Sequence, residues 1–282
     1  MCNENVYLPP LMKAIFNKLL LFILIIFVMS GCSEYQKVLK SSDINLKYDK
    51  ALEYFEDGEY YKAYPLFEEL IAVYRGTEKA ENLSYTYAYC DYYLLDYILA
   101  AHRFEQFVKT YPLSKHAEEC QFMIGYCNFL NSPKPSLDQT NTYIAIDQLQ
   151  LFTNLYPKSE LIDSCNTLID GMLMKLSTKN FDRAVLYLNT GNYKASVVTF
   201  KNFLEKFPDT DFREEAEFRI FEASYELAKN SVSSKKSERI EESIKAYVKF
   251  VDSFPKSTFL KKAESMYLLI LREKEKSNEQ KS

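Results

Sequence analysis

The sequence predicts an all-α chain that consists of about five helical hairpins. Helix breakers are scarce, since the 282 residues contain 6 Gly and 9 Pro but 23 Tyr and 20 Phe. A β-rich fold would need more turn residues than this. A pattern of large and small residues also recurs along the chain, as it does where one supersecondary unit is repeated. The net charge of −4 without a basic stripe makes nucleic acid a poor partner.

The chain begins with the parts of a secretory signal. Two lysines precede an apolar run of eleven residues, Leu19–Met29, and the small residues Ser30 and Gly31 follow it. This run is too short to span a bilayer, which needs about 20 residues. A basic start, a short apolar run and a small-residue site are typical of a signal peptide. We therefore expect residues 1–31 to be removed, with Met12 as an alternative start of translation.

The residues at this site resemble a bacterial lipobox, Met29-Ser30-Gly31-Cys32. The resemblance implies that Cys32 becomes the first mature residue and carries an S-diacylglycerol and an N-acyl chain. Several acyl chains anchor firmly, because each buried methylene contributes about 0.8 kcal/mol. Ser33 follows Cys32 directly. In the lipoprotein sorting rule that this arrangement resembles, a Ser at that position permits transport to the outer membrane. We expect anchorage on its periplasmic face; an ordinary signal peptide with an incidental Cys is the alternative.

Five repeats can be aligned on their last residue, which we call the terminal position. This residue is Pro in every repeat but the first, and an aromatic residue stands directly before it. The aromatic pairs are Tyr74-Arg75, Tyr111-Pro112, Tyr156-Pro157, Phe207-Pro208 and Phe254-Pro255. Five residues before the terminal position lie Leu70, Phe107, Phe152, Phe203 and Phe250, and eight before it lie Phe67, Phe104, Leu149, Phe200 and Tyr247. Twelve before it lie the small residues Ala63, Ala100, Ala145, Ser196 and Ser243, and two after it lie Thr77, Ser114, Ser159, Thr210 and Ser257.

Each of these offsets has a physical reason. Large residues at helical spacing form one apolar stripe, and a small residue lets the partner helix approach closely. Pro ends the second helix because it cannot donate the next hydrogen bond, and Ser or Thr can cap the next one. Gly58 and Gly191 share the offset at which the hairpin turns. The pattern resembles the tetratricopeptide repeat, which implies a right-handed superhelical solenoid.

Departures from the regular period indicate where the chain differs from a uniform solenoid. Residues 131–141, NSPKPSLDQTN, form an insertion in the third repeat, and its prolines forbid a continuous helix. The helical pattern runs long over 160–188, and the fifth repeat has a polar break at 231–236. Beyond Arg272 the chain has no apolar stripe and is expected to be frayed.

The predicted segments are a signal peptide (1–31), a lipidated tether (32–45), repeats 1–3 (46–157), repeats 4 and 5 (158–272) and a polar tail (273–282).

The mature sequence contains no pattern of a catalytic or metal site. His102 and His116 have no carboxylate or Cys at metal-ligand spacing and are expected on helix surfaces. The cysteines Cys90, Cys120, Cys127 and Cys165 are expected in small core positions, with a Cys90–Cys120 disulfide as the alternative in an oxidising compartment. Because no nucleophile elbow or phosphate-binding Gly loop occurs either, we expect no enzyme, no metal and no cofactor other than the lipid.

The excess of tyrosine has two interpretations. Residues 85–97, YTYAYCDYYLLDY, hold six tyrosines on about four helical turns, too many for one buried stripe. Tyr is amphipathic and common in binding surfaces, which predicts a peptide groove near Tyr60, Tyr85, Tyr89 and Tyr93. The alternative is that these side chains fill the core between helices and its edge.

Together the lipobox, the five repeats and the chain length resemble the BamD family, the tetratricopeptide lipoproteins of the outer-membrane β-barrel assembly machinery. The resemblance extends from Cys32 to about Leu271 and is sharpest over residues 125–160, where the insertion contains Leu137-Asp138-Gln139-Thr140. PLFEEL at 65–70 is also similar.

This resemblance implies a periplasmic scaffold without catalysis. The carboxy-terminal repeats would bind the central barrel-assembly protein through its periplasmic domains, and the amino-terminal repeats would bind unfolded segments of incoming barrel precursors. As a regional prediction, the partner binds around Thr199, Phe200 and Lys201. Two other classes stay open, a pilotin-like factor that assembles a secretin and a SusD-type glycan-binding lipoprotein. The short chain without Trp disfavours the second of these.

Overall fold

The computed structural model describes residues 34–279, with side chains to residue 276. Cys32 and the predicted signal peptide lie outside the described residues. The described part of the chain is helical and contains no strand, which confirms the predicted all-α class. The first six long helices are α1 (Ile44–Glu56), α2 (Tyr60–Val73), α3 (Lys79–Tyr93), α4 (Tyr97–Thr110), α5 (Ala117–Leu130) and α6 (Thr140–Leu155). They are followed by α7 (Ile162–Asn189), α8 (Tyr193–Lys206), α9 (Arg213–Lys229), α10 (Ser233–Ser253) and α11 (Leu260–Glu279).

Consecutive helices pair into the five predicted hairpins, α1–α2, α3–α4, α5–α6, α7–α8 and α9–α10. The chain forms two compact units. The first contains the residues up to 131 together with 147–156, and the second contains 132–146 and the residues from 157 onward. The predicted segment boundaries stay predictions.

Within each hairpin the helices approach at the predicted small residue. All five of these side chains are fully buried: Ala63, Ala100, Ala145, Ser196 and Ser243. The large residues seven positions later, Leu70, Phe107, Phe152, Phe203 and Phe250, are also buried. In the third hairpin the first helix contributes Gly125, where a Cβ would lie 2.7 Å from Leu149 Cδ2. Helix contact therefore depends on small side chains at fixed positions.

The second helix of a hairpin ends with one of two backbone conformations. Tyr111, Phe207 and Phe254 each end their helix with φ from −125° to −135° and ψ from 59° to 71°. These angles lie outside the helical region, which the ring of the following Pro disfavours. Tyr74 has no Pro after it and keeps φ −87° and ψ 5°, and the chain turns at Gly76 with φ +80°. The first repeat thus replaces Pro by a left-handed glycine.

The hairpin turns use a left-handed residue at one shared position. Gly58 and Gly191 have φ of +75° and +76°, as their offset predicts. In the second repeat Leu95 occupies this position with φ 65°. A left-handed conformation is unfavourable for a residue with a Cβ, so this turn is strained where the other two are not.

The hydroxyl residues after each repeat do not cap the next helix in the simple way that the sequence predicted. The Oγ atoms of Ser114 and Ser257 each accept a hydrogen bond from the N–H two residues later, at 3.0 Å in both. Each also donates at 2.6 Å to a glutamate of the preceding repeat, Glu81 and Glu214 respectively. The hydroxyl therefore shapes the turn that leads into the next helix and connects it to the previous hairpin.

The insertion of the third repeat is an ordered loop, and the helix stops across it as predicted. The Gln139 amide is buried and donates to the carbonyls of Lys134 and Leu137, at 2.7 and 3.0 Å. Two lysines of α7 donate to the same loop, Lys175 to Ser132 Oγ at 2.7 Å and Lys179 to Leu137 O at 2.5 Å. The predicted long helix of the fourth repeat is present, since α7 has 28 residues.

Both ends of the described chain are more ordered than expected. In the predicted tether, residues 34–40 are helical, and Val38 is buried in the core of the first hairpin. At the other end the helix does not fray after Arg272 but continues to Glu279. Two ion pairs to α10 hold it, Lys236–Glu273 at 2.7 Å and Lys274–Glu241 at 2.6 Å. The missing apolar stripe is thus compensated by charge pairing between helices.

Two further expectations are corrected. The polar break of the fifth repeat is shorter than predicted, because α10 begins at Ser233, directly after Val232 in an extended conformation. His116 is half-buried instead of lying on a free helix surface, and its ring stacks on Tyr85 at 4.1 Å. His102 is exposed, as expected.

The four cysteines of the described chain are buried free thiols, as the core interpretation predicts: Cys90, Cys120, Cys127 and Cys165. Burial raises the pKa of the Cys90 and Cys127 thiols to about 12. The thiolate is the reactive form, so these side chains act as small apolar core residues.

Ser196 and Ser243 occupy the position where each repeat has a small buried residue, and they provide a matched test of the packing there. Ser196 Oγ donates to Ala184 O at 3.0 Å, whereas Ser243 Oγ has no partner among the described residues. A buried polar group without a partner costs about 1–3 kcal/mol. We therefore expect Ser243→Ala to raise the free energy of unfolding by about 1 kcal/mol and Ser196→Ala to lower it by a similar amount. Urea denaturation measures both, and equal shifts in one direction would contradict this account.

Candidate functional site

The tyrosines of α3 divide between its two faces. Tyr85, Tyr89 and Tyr93 follow one another at intervals of four and lie on one side of the helix, where neighbours in an α-helix meet. Tyr87 lies in the core between the first two hairpins and is only 2 % exposed. Tyr87 thus fits the core interpretation, and Tyr85, Tyr89 and Tyr92 pack against the edge of a neighbouring core; the peptide groove stays a prediction. We call Tyr60, Tyr85, Tyr89, Tyr92 and Tyr93 the tyrosine surface.

A glutamate of the third repeat holds one end of the tyrosine surface. Tyr85 Oη donates to Glu119 at 2.8 Å, and Tyr89 Oη donates to the other oxygen of the same carboxylate. Burial, reinforced by these bonds, raises the pKa of both tyrosines far above the ordinary value of a phenol. The hydroxyls consequently stay protonated and donate to Glu119, which fixes the orientation of both side chains.

The other end of the tyrosine surface is a stacked pair. The rings of Tyr60 and Tyr93 lie 4.7 Å apart and within 13° of parallel, and Phe55 contacts both. Tyr93 is 45 % exposed, and Tyr60 is half-buried. Burial also raises the pKa of Tyr60. Part of the Tyr93 side chain therefore stays accessible to solvent beside the stacked Tyr60 ring.

The tyrosine surface has two features that would favour binding of a polypeptide. Pre-positioned aromatic rings give contact area while losing little side-chain entropy on binding, and the hydroxyls add directional hydrogen bonds. The structure brings the four predicted groove residues together on the first unit, through Tyr60–Tyr93, Tyr89–Tyr93 and Tyr85–Tyr89 ring contacts. That a peptide binds there stays a prediction.

A buried ion pair behind the tyrosine surface was not foreseen from the sequence. Asp91 is 1 % exposed and accepts a hydrogen bond from Arg103 Nε of the next helix. The guanidinium of Arg103 lies 3.6 Å from the centre of the Tyr87 ring. A buried carboxylate requires such a partner, so Arg103 connects α4 to the tyrosine-rich helix and fixes its orientation.

The predicted partner-binding residues of the fourth repeat differ in accessibility. Phe200 is fully buried and packs on Phe181, at a ring distance of 5.5 Å. Phe200 therefore packs α8 against α7, and its side chain is not accessible to a partner. Lys201 is exposed, and Thr199 is half-buried with its hydroxyl donating to Ala195 O. Binding at this position stays a prediction.

Lys201 belongs to a basic groove in the second unit, between α8 and α10 and above α9. The groove has a volume of about 510 Å³ and adjoins a second cleft of about 710 Å³ that Thr199 lines. Six basic side chains line the groove against three acidic ones: Lys194, Lys201, Lys235, Arg239, Lys245 and Lys249 against Glu217, Glu238 and Glu242. The lining thus carries a net charge of +3 (6 − 3) on a chain with net charge −4.

Several charges of the basic groove are not compensated internally. Lys249 pairs with the buried Glu217 at 2.6 Å, and Lys235 pairs with Glu238 at 3.1 Å. Lys194, Lys201 and Lys245 have no carboxylate within ion-pair distance in the described part of the chain. Like charges gathered in a cleft attract an oppositely charged partner and speed its association.

Residues 34–279 contain neither a metal-binding cluster nor a membrane-spanning helix. No group of three His, Cys, Asp or Glu side chains there could hold a metal ion. No described helix is both long and apolar enough to cross a bilayer.

Comparison with known proteins identifies the family. No curated protein matches the chain significantly. Among solved structures the chain is similar to the crystal structure of the P58(IPK) TPR domain, with a TM-score of 0.39 and 13 % identity over 86 % of this chain and 67 % of the other. The family model YfiO, described as an outer membrane lipoprotein, matches residues 41–236, well over half of the chain. This match confirms the resemblance to BamD: the chain belongs to the YfiO family of outer membrane lipoproteins.

Proposed function

We propose that this protein is a lipid-anchored scaffold of the machinery that inserts β-barrel proteins into the outer membrane, on the periplasmic face of that membrane. The family match over residues 41–236 carries the proposal. The scaffold works by binding and has no catalytic step. It holds the central barrel-assembly protein through the basic groove and unfolded barrel precursors through the tyrosine surface.

The basic groove suits a folded partner domain with an acidic edge. Its uncompensated Lys194 and Lys201 lie on α8, and Lys245 lies across from them on α10. A partner carboxylate between these helices would meet cations from both sides. Charge complementarity of this kind fixes the register of an interface more than its total affinity. Docking of the central barrel-assembly protein through its periplasmic domains is therefore proposed here, next to Thr199 and Lys201.

The tyrosine surface suits an extended precursor segment with aromatic side chains. Tyr93 and Tyr60 offer a stacked pair of rings, and Tyr85 and Tyr89 are fixed by Glu119. Aromatic pairs contribute about 0.5–1.5 kcal/mol beyond area burial. Such contacts hold a segment weakly enough for release, as a scaffold for assembly requires.

Two alternatives share the anchor and the repeats. A pilotin-like factor would bind a secretin, and a SusD-type lipoprotein would bind glycans. The family match favours barrel assembly over both. The insertion at 131–141 supports the same proposal, because its Leu137-Asp138-Gln139-Thr140 resembles the BamD family.

The lipid anchor is tested by Cys32→Ser. Because thioether formation requires the Cys32 thiol, we expect the variant to lose labelled palmitate and to leave the membrane fraction. Cys2→Ser lies before the proposed cleavage site and is the matched control, which should keep both label and membrane attachment. Label that persists in Cys32→Ser, or a variant that stays membrane-bound, would sink the lipobox interpretation.

The docking proposal is tested by affinity capture after mild solubilisation of the envelope. A β-barrel protein with periplasmic repeat domains should co-purify with the unaltered chain. The double variant Lys194→Glu/Lys201→Glu lowers the charge of the groove by four, because each reversal changes it by two. We expect this variant to recover about tenfold less of the barrel protein, since like charges would then face each other.

The control for this experiment is Lys256→Glu/Lys261→Glu, two exposed lysines of the same unit that do not line the groove. Its recovery of the barrel protein should match the unaltered chain. Equal recovery by the groove variant would refute the proposed docking surface. Capture of only a secretin or a glycan transporter would refute the proposed function itself.

A further inference from the structure

A third cleft of the second unit, which we call the acidic cleft, shares no lining residue with the basic groove or with the cleft that adjoins that groove. It has a volume of about 490 Å³, and its walls are the start of α6, the middle of α7 and the connection between α8 and α9. This volume lies in the range of about 300–1,000 Å³ that is common for binding sites. None of the basic-groove residues lines it.

The floor of this cleft is apolar and open to solvent. Tyr143, Leu173 and Met174 are 43 %, 40 % and 47 % exposed, and Phe207 and Ile146 complete the floor. Adjacent exposed apolar side chains of this size mark interaction sites more often than scattered ones do. Met also adapts its shape to different apolar partners.

The rim of the cleft is acidic. Asp170 lies on α7, and Asp209 and Asp211 lie on the α8–α9 connection, so that carboxylates stand on two sides. Within the described residues none of the three has a basic partner at ion-pair distance. The one basic residue of the lining, Lys206, lies 3.4 Å from Tyr143 Oη, with its ammonium 5.5 Å from the ring centre. The lining therefore has a net charge of −2 (1 − 3).

We propose that this cleft binds a segment of a partner polypeptide in which bulky apolar side chains alternate with Lys or Arg. The apolar residues would cover Leu173 and Met174, and the cations would meet Asp170 on one side and Asp209 and Asp211 on the other. Carboxylates on two different walls suit several cations along a chain better than a single charged group. The occupant is thus opposite in charge to the acidic partner expected at the basic groove.

The test measures peptide binding to the purified full chain by fluorescence anisotropy. The probe is a fluorescein-labelled peptide with alternating Phe and Lys, compared with one that has Glu for Lys and one that has Ser for Phe. The Phe–Lys peptide should bind at least about tenfold more tightly than either comparison peptide, because each removes one of the two complementary features.

Two variants locate the binding, Leu173→Ser/Met174→Ser in the floor and Asp209→Lys in the rim. Each should weaken binding of the Phe–Lys peptide by about tenfold. Matched controls are Leu268→Ser, an exposed apolar residue of α11, and Asp252→Lys, an exposed carboxylate of α10. Both controls should bind like the unaltered chain, and circular dichroism melting checks that every variant is folded.

No binding to the unaltered chain, equal binding of the three peptides, or unchanged binding by both cleft variants would overturn the proposal. The groove variant Lys194→Glu/Lys201→Glu should keep the affinity for the Phe–Lys peptide. This separates the cleft from the docking proposal, because either can fail without the other.

Discussion

The structure depends on the close approach of two helices at one small side chain in each hairpin. Ala63, Ala100 and Ala145 serve this contact in the first three repeats, and buried serines serve it in the last two. A larger residue would overpack the crossing, which costs about 1–3 kcal/mol in well-packed cores. Since neighbouring helices supply most of each core, the repeats stabilise one another, as in other repeat proteins.

Burying one stripe of each helix leaves the remaining faces available for binding. On the first unit these faces carry tyrosine rings, two of which donate hydrogen bonds to Glu119. On the second unit they carry a basic groove and an acidic apolar cleft. A scaffold built in this way can hold partners of different chemistry without rearranging its core.

Much of the fold could be predicted from the sequence, because its signals are local. The Pro after Tyr111 and the turn at Gly58 depend on the backbone of one or two residues. The candidate surfaces were harder to predict. The stacking of His116 and the bonds to Glu119 join residues about thirty positions apart. The basic groove and the cleft with the acidic rim each arise only where three elements meet. Phe200 shows the limit most clearly, since the sequence predicts it as a partner-binding residue and the structure buries it in the core.

The central claim is that the two units bind different partners through chemically different surfaces. Site-specific photo-crosslinking in cells tests it most directly, with the photoreactive residue at Lys201 in one variant and at Tyr93 in another. The account predicts that Lys201 crosslinks to a folded β-barrel protein with periplasmic domains, and that Tyr93 crosslinks to newly exported barrel precursors. If both positions crosslink to the same folded partner, or neither does to any barrel protein, the account is contradicted.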